Sequence, residues 1–145
     1  MKPVEAKARH RAREAALQML YQWEIGRTTP CDAILTYWPT QDDTTVISDA
    51  HREFADGLVR GTIARVEEID RVLGAHAQNW RVQRMAVLDR LVLRLATFEL
   101  LAQPDTPAKV VINEALELAR AYSGEEAVGF VNGVLDGVRK ELNRE

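Results

Sequence analysis

The stretch MAVLDRLVLRLATFELL, residues 85–101, is apolar on most faces of a helix. A helix of this kind is usually covered by neighbours on several sides, whereas a surface helix carries one apolar stripe. The stretch therefore predicts a central helix against which other helices pack. Arg94 lies inside it, and a buried cation without a counter-charge is too costly to keep. We expect it to pair with a carboxylate, the candidates being Glu99, Glu114 and Glu117.

Amphipathic patterns before this stretch predict further helices. Apolar residues recur at i, i+3, i+4 and i+7 over residues 9–26, and again from Ser48 or Asp49 to about Leu73. A looser polar segment separates these two helices, and a short helix is expected within it around residues 32–38.

The clearest break is QPDTPAK, which follows the central stretch. Thr106 suits the N-cap of the next helix and Pro107 its first position, because the first turn leaves its N–H groups unpaired in any case. That helix is expected to run to about Tyr122. The following SGEE predicts a capping box for the last helix, with Ser123 at the cap and Glu126 three residues later.

These patterns together predict an all-α fold, a helical bundle of about seven helices. Residues 1–145 are expected to form a single domain, or two small helical subdomains sharing a core. The expected organisation is a basic arm over residues 1–13 and a helical body over 14–145. An apolar fraction of 46% is ordinary for a chain that buries a core.

Glycines recur every four residues on the last predicted helix, at Gly129, Gly133 and Gly137. Each costs about 1 kcal/mol relative to alanine inside a helix. The stripe predicts close packing on a neighbouring helix. A membrane dimer is not favoured, because Asp136 and Arg139 interrupt the apolar run.

The composition excludes several classes of protein. No apolar run approaches the roughly 18 residues of a membrane span, and the charged N-terminus lacks the apolar region of a signal peptide. Cys31 is the only cysteine, which rules out an intramolecular disulfide and a cysteine zinc site. We expect a cytoplasmic protein without metal or cofactor. Catalysis is not expected either, since the sequence has no HExxH, GxSxG or phosphate-loop motif.

Positive charge is concentrated at the start of the chain. Five cationic residues and one acidic residue give the first 13 residues a net charge of +4, whereas the whole chain carries −3. Cations near a helix N-terminus face the positive end of the helix dipole, so an anion compensates them or the first turn frays. RNA phosphates are one such anion, and a solvated helix start is the alternative. The acidic remainder argues against general binding to duplex DNA. The five cationic residues are Lys2, Lys7, Arg9, Arg11 and Arg13.

Tyr21 continues the helical track that begins with Arg9 and Arg13. A phenol ring beside guanidinium groups can stack on an unpaired base. The alternative is a core residue with its hydroxyl group at the rim.

Three stretches resemble the NusB family of transcription antitermination factors in order, spacing and content. They are RHRAREAALQMLYQWE at 9–24, NWRVQRMAVLDRLVLRLATFELL at 79–101 and PAKVVINEALELARAYSGEEAVGFVNGVLDGV at 107–138. The resemblance implies a helical fold of two three-helix subdomains and a function without catalysis. It also implies binding to the single-stranded boxA RNA of ribosomal RNA transcripts together with ribosomal protein NusE. Other Nus factors and RNA polymerase would complete the antitermination complex, and both monomers and homodimers are compatible with the family.

The resemblance also assigns roles to particular residues. Asp89 and Arg90 would bind NusE, and Glu126 would be an acidic position that tunes antitermination. The residues expected to bind RNA are Lys7, Arg9, His10, Arg11, Arg13, Tyr21, Phe130 and Asn132.

Each of these roles has a structural alternative. Phe130 is alternatively a core residue, and Asn132 a polar surface residue. Asp89 and Arg90 are alternatively charges in solvent, and Glu126 only caps its helix.

Two other functions remain compatible with the sequence. One is a NusB-like RNA-binding domain that serves ribosomal RNA methylation. The other is a purely protein-binding helical adaptor, which would leave the arginine-rich arm unexplained.

Overall fold

The computed structural model describes residues 3–41, 47–77 and 81–145. These residues form seven α-helices and two short 3₁₀ turns, at Trp38–Thr40 and Val82–Arg84, and contain no strand. The all-α prediction of about seven helices is therefore confirmed. None of the described helices is both long and apolar enough to span a membrane. The helices are α1 (Pro3–Gly26), α2 (Pro30–Tyr37), α3 (Asp49–Ala64), α4 (Val66–His76), α5 (Val87–Ala102), α6 (Ala108–Tyr122) and α7 (Glu125–Glu141).

The chain divides into two compact units, residues 1–63 and 64–145. The first unit contains α1, α2 and α3, and the second contains α4, α5, α6 and α7. The expected boundary between a basic arm and a helical body, after residue 13, falls inside α1.

Helix α1 begins at Pro3, six residues before the predicted start at Arg9. Proline is well suited to the first turn of a helix. The negative charge of Glu5 in that turn interacts favourably with the positive end of the helix dipole. The expectation that Arg9 begins the helix is therefore wrong. Because the dipole effect falls off within the first turn, the basic residues from Arg9 onward do not carry the cost that a helix start would impose.

Helix α2 follows a side-chain cap. Thr29 Oγ1 accepts a hydrogen bond from the Asp32 N–H at 3.0 Å, and Pro30 occupies the first turn. The short helix expected around residues 32–38 is thus confirmed and starts two residues earlier. Ala33 and Ile34 are its buried residues.

The single long helix expected from residue 48 or 49 to Leu73 is wrong. It is interrupted at Arg65, whose φ of −111° and ψ of 20° depart from helical geometry. Helix α4 then continues past Leu73 to His76. The apolar periodicity continues on both sides of Arg65, so a helix break of one residue cannot be recognised from the sequence pattern.

Helix α5 is the central helix of the second unit, as its sequence predicts. Every residue from Arg90 to Leu100 is buried, and α5 packs against α4, α6 and α7. A helix covered by three neighbours can be apolar on most faces, which explains the composition of this stretch.

The counter-charge of Arg94 is Asp70 on α4. Arg94 Nε and Nη2 donate to the two carboxylate oxygens of Asp70, both at 2.8 Å. Asp70 was not among the candidates that the sequence suggested, which were Glu99, Glu114 and Glu117. The sequence shows that a buried arginine needs a carboxylate, but the packing of α4 on α5 determines which carboxylate is within reach.

The junction between α6 and α7 differs from the predicted capping box. Ser123 ends α6, and the N-cap of α7 is Gly124, which makes no side-chain cap. The Ser123 hydroxyl instead donates to a carboxylate oxygen of Asp89 on α5. Gly124 has a φ of +121°, a backbone conformation that only glycine adopts readily. The predicted Thr106 cap of α6 is also displaced by one residue, to Pro107.

Only one of the three α7 glycines lies against a neighbouring helix among the described residues. A Cβ atom at Gly137 would lie 2.6 Å from His76 Nδ1, whereas Cβ atoms at Gly129 and Gly133 would meet nothing within 4 Å. The close-packing prediction is therefore confirmed at Gly137 and wrong at the other two. His76 is held there by a 2.7 Å contact between its Nε2 and Glu141 Oε1.

We expect Gly133→Ala and Gly137→Ala to change stability differently. Gly133→Ala should raise the free energy of unfolding by about 0.5–1 kcal/mol, because alanine favours the helix and its Cβ meets open space. Gly137→Ala should lose that gain, because its Cβ displaces His76 and separates it from Glu141. Urea unfolding of the two variants measures the difference, and an equal gain in both would contradict this account of α7.

Candidate nucleic-acid interface

The described cationic residues of the arm lie on two faces of α1, and Lys2 lies outside the described residues. Lys7 and Arg11, one turn apart, are exposed, and His10 is partly exposed. Arg9 is also partly exposed, whereas Arg13 has only 2% of its surface accessible. The outer face of the arm therefore presents cations to solvent, and Arg9 and Arg13 belong to the face that packs within the first unit.

Arg9 and Arg13 both make cation–π contacts with one aromatic ring of α3. Their guanidinium carbons lie 4.6 Å and 5.4 Å from the centroid of Phe54, within the range of a cation–π interaction. Arg9 Nε also donates to Glu5 Oε1 at 3.3 Å. Phe54 belongs to the apolar periodicity of its helix, and its pairing with the arm could not be predicted because it depends on α1 and α3 lying side by side.

Glu5 connects the arm to the start of α3. Its Oε1 lies 3.0 Å from His51 Nε2, and His51 Nδ1 lies 2.6 Å from Ser48 Oγ. The hydrogen bond with His51, assisted by the one from Arg9, lowers the pKa of Glu5 below its ordinary value. The carboxylate is therefore kept ionised beside two nitrogen donors, and it ties the first turn of α1 to α3.

Two further residues of the first unit were predicted to bind RNA. Tyr21 retains 42% of its surface accessible, so its ring is available for stacking and is not part of the core. His10 lies on the arm with its Nε2 3.8 Å from Glu14 Oε1.

Sequence analysis missed an aromatic cluster on the same unit. The rings of Tyr37 and Trp38 meet edge to face at 5.0 Å, and the Arg52 guanidinium lies 5.0 Å from the Trp38 ring. Trp38 Nε1 also donates to Asp56 at 2.9 Å. These contacts join the end of α2 to α3, so we interpret them as structural.

The second unit brings Asp89, Glu126 and Phe130 to one pocket. The pocket has a volume of about 510 Å³ and combines apolar walls with two carboxylates. The hydrogen bond from Ser123 fixes one oxygen of Asp89 at this pocket. Such a site suits a cationic side chain with an aliphatic stem, which can lie on the apolar walls and place its charge near the carboxylates. The lining residues are Met85, Ala86, Asp89, Ser123, Glu126, Ala127 and Phe130.

Arg90 and Asn132 lie outside this pocket. Arg90 has 9% of its surface accessible, and its Nη1 lies 3.4 Å from the Met85 carbonyl oxygen and 3.5 Å from that of Gln83. Asn132 is exposed on α7. Residues two apart on a helix point to different faces, which explains why Phe130 reaches the pocket and Asn132 does not.

The described residues offer no group of three His, Cys, Asp or Glu side chains arranged to hold a metal ion.

Glu5→Gln should reduce the acid sensitivity of the protein. Because folding lowers the pKa of Glu5 below its ordinary value of 4.5, its carboxylate stabilises the folded state above that pH. This stabilisation is lost as the pH falls through the folded-state pKa. Between about pH 5 and pH 3, the thermal midpoint of the wild type should therefore fall more steeply than that of the variant.

Circular dichroism at several pH values measures both slopes. The control is Glu53→Gln, which removes one exposed negative charge from α3 without touching the Glu5 contacts. Parallel slopes for the wild type and Glu5→Gln would show that the Glu5 contacts do not stabilise the fold.

Comparison with known proteins identifies the family that shares this architecture. A model of the NusB family matches residues 10–140. A Koribacter versatilis protein named Transcription antitermination protein NusB is 42% identical over 98% of this chain and 95% of its own length. A protein of the same name from Solibacter usitatus is 46% identical, over 93% of this chain and 90% of its own.

Solved structures give the same result. T. maritima NusB has a TM-score of 0.81 and 37% identity, covering 92% of this chain and 91% of that one. A crystal structure of the antitermination factors NusB and NusE in complex with dsRNA contains a chain with a TM-score of 0.83 and 27% identity. That match covers 93% of this chain and 98% of the solved one. The helical architecture and the sequence agree along nearly the whole length, and the chain belongs to the NusB family.

Proposed function

We propose that this chain is a transcription antitermination factor that binds the single-stranded boxA RNA of ribosomal RNA transcripts together with ribosomal protein NusE. In this role it supports processive transcription of ribosomal RNA. The observation that carries the proposal is the exposed cationic face of α1 on an otherwise acidic member of the NusB family. The complex of a similar chain with NusE and RNA supports the choice of partners.

The arm supplies the phosphate contacts in this proposal. Lys7 and Arg11 are exposed one turn apart, a spacing that allows both to reach the backbone of a short RNA. Arg9 adds further donors, and His10 adds a ring nitrogen donor on the same stretch of the helix. Arg13 is buried, so it contributes by supporting the arm from the side of α3.

In this proposal the bases are recognised by residues that can stack on an unpaired nucleotide or form hydrogen bonds with it. Tyr21 offers an accessible ring in the first unit. In the second unit Phe130 offers a partly exposed ring, and Asn132 offers a donor and an acceptor for a base edge.

NusE docks at the acidic pocket of the second unit in this proposal. Asp89 and Glu126 carry negative charge beside the apolar walls formed by Met85 and Ala127, which suits a basic side chain of the partner. Arg90 contributes by holding the backbone of Met85, and Glu126 tunes antitermination as the acidic position of the α6–α7 junction.

The wider role follows from the same proposal. Residues 1–145 act as one RNA-binding domain, with other Nus factors and RNA polymerase as further partners. The site of action is the cytoplasm, where the transcript is made, and the protein binds without catalysing a reaction. A homodimer is an alternative state that we propose beside the free monomer.

Arg11→Ala should weaken binding to a short single-stranded boxA RNA. Each phosphate contact that is lost should also lower the slope of log affinity against log salt by about 0.7. Fluorescence anisotropy at several salt concentrations measures both quantities. Arg60→Ala is the matched control, because Arg60 is an exposed arginine outside the arm. Unchanged affinity and slope in Arg11→Ala would favour a protein-binding adaptor instead.

Asp89→Asn should weaken NusE binding while leaving the affinity for RNA alone close to that of the wild type. It should also reduce the gain in RNA affinity that NusE provides, because the two ligands share a coupling free energy. Titrations of RNA with and without NusE test this, with Asp105→Asn, an exposed position before α6, as the control. Equal RNA affinity of the wild type in the presence and absence of NusE would contradict the coupling.

A further inference from the structure

Phe54 is the point where two arginines of the arm meet α3. Arg9 and Arg13 are one turn apart on α1, and both guanidinium groups lie within 5.4 Å of the centroid of this one ring. Arg13 is almost entirely buried, and Phe54 is partly buried. Cation–π attraction is stronger where water is excluded, so the contact with Arg13 is the better shielded of the two.

We propose that Phe54 is a positioning residue for RNA binding, whose ring fixes the guanidinium of Arg9 before RNA arrives. This inference rests on the proposed function of the arm. Phe54 itself does not contact RNA in this proposal. It acts through Arg9, and Arg13 makes a second, more deeply buried contact with the same ring.

The geometry leaves Arg9 able to bind a phosphate while it contacts the ring. A guanidinium carries five N–H donors, and a cation–π contact is an attraction between its charge and the π face of the ring, not a hydrogen bond to an oxygen acceptor. The hydrogen bond from Nε to Glu5 uses one of these donors. The remaining donors suit a phosphate, and the Arg9 side chain keeps about a third of its surface accessible, at 32%.

Two independent contacts restrict the motion of this side chain. The ring of Phe54 limits its position on one face, and Glu5 holds Nε at one edge. Glu5 is in turn fixed by His51. A free arginine loses rotamer freedom when it binds a phosphate, and a side chain that is already fixed loses less. The expected consequence is tighter RNA binding than an equally charged but mobile arginine would give.

The test compares Phe54→Leu with Phe54→Tyr. Leucine keeps apolar volume but lacks the π face, whereas tyrosine keeps the ring. We expect Phe54→Leu to weaken binding to single-stranded boxA RNA roughly three- to tenfold and Phe54→Tyr to stay within about twofold of the wild type. Affinity for NusE, which tests the fold of the second unit, should be unchanged in both variants. Equal RNA affinity of Phe54→Leu and the wild type would overturn the proposal.

A double-mutant cycle with Arg9→Ala separates positioning from general destabilisation. If Phe54 acts through Arg9, the double variant should bind RNA no more than about twofold more weakly than Arg9→Ala alone. Fully additive losses would show that Phe54 acts by another route and would overturn the proposal. Failure of the wild type to bind the RNA at all would overturn the proposed function first, which distinguishes the two failures.

A measurement on the wild type covers the case in which Phe54→Leu does not fold. NMR of the arginine side chains in the RNA-free protein should show an Arg9 Nε–H signal shifted by the ring current of Phe54. Its position should differ from that of exposed Arg60. An Arg9 signal at the position of a freely mobile arginine would overturn the proposal.

Discussion

Helix α5 is buried along most of its length, and α4 supplies a carboxylate, Asp70, for the guanidinium of Arg94 inside it. A guanidinium in an apolar core is too costly to keep without a counter-charge. The two-point contact with Asp70 also fixes the rotation of α5 about its own axis, since both nitrogens must meet both oxygens. With that rotation set, Asp89 at the beginning of α5 faces Ser123 at the junction of α6 and α7. The position of the acidic pocket therefore depends on the rotation of the buried helix α5 about its axis.

In the first unit, the position of each cation on α1 determines whether it is buried or exposed. Because α1 begins at Pro3, the arginines of the arm lie within a formed helix and are sorted onto two faces. Arg9 and Arg13 lie against the ring of Phe54, while Lys7 and Arg11 remain exposed. Glu5 and His51 hold the first turn against α3. A helical arm keeps its charges at fixed spacing, which a frayed segment does not.

The two units carry complementary chemistry. The first presents cations and an accessible tyrosine, groups that suit phosphates and unpaired bases. The second presents two carboxylates above an apolar pocket, which suits a basic side chain of a protein. An acidic protein with a cationic helix face is well suited to bind a short RNA selectively.

The sequence by itself determined the helical class, the central stretch at residues 85–101 and the family. Helical periodicity and motif spacing are local properties, so they can be recognised from the sequence without a structure. The tertiary structure alone decided that Arg94 pairs with Asp70, that Ser123 bonds to Asp89 instead of capping α7, and that Arg13 is buried against Phe54. Each of these contacts joins residues 24 to 41 positions apart in the chain. Their formation depends on which helices pack together, and a pattern read along one helix carries no information about its neighbour.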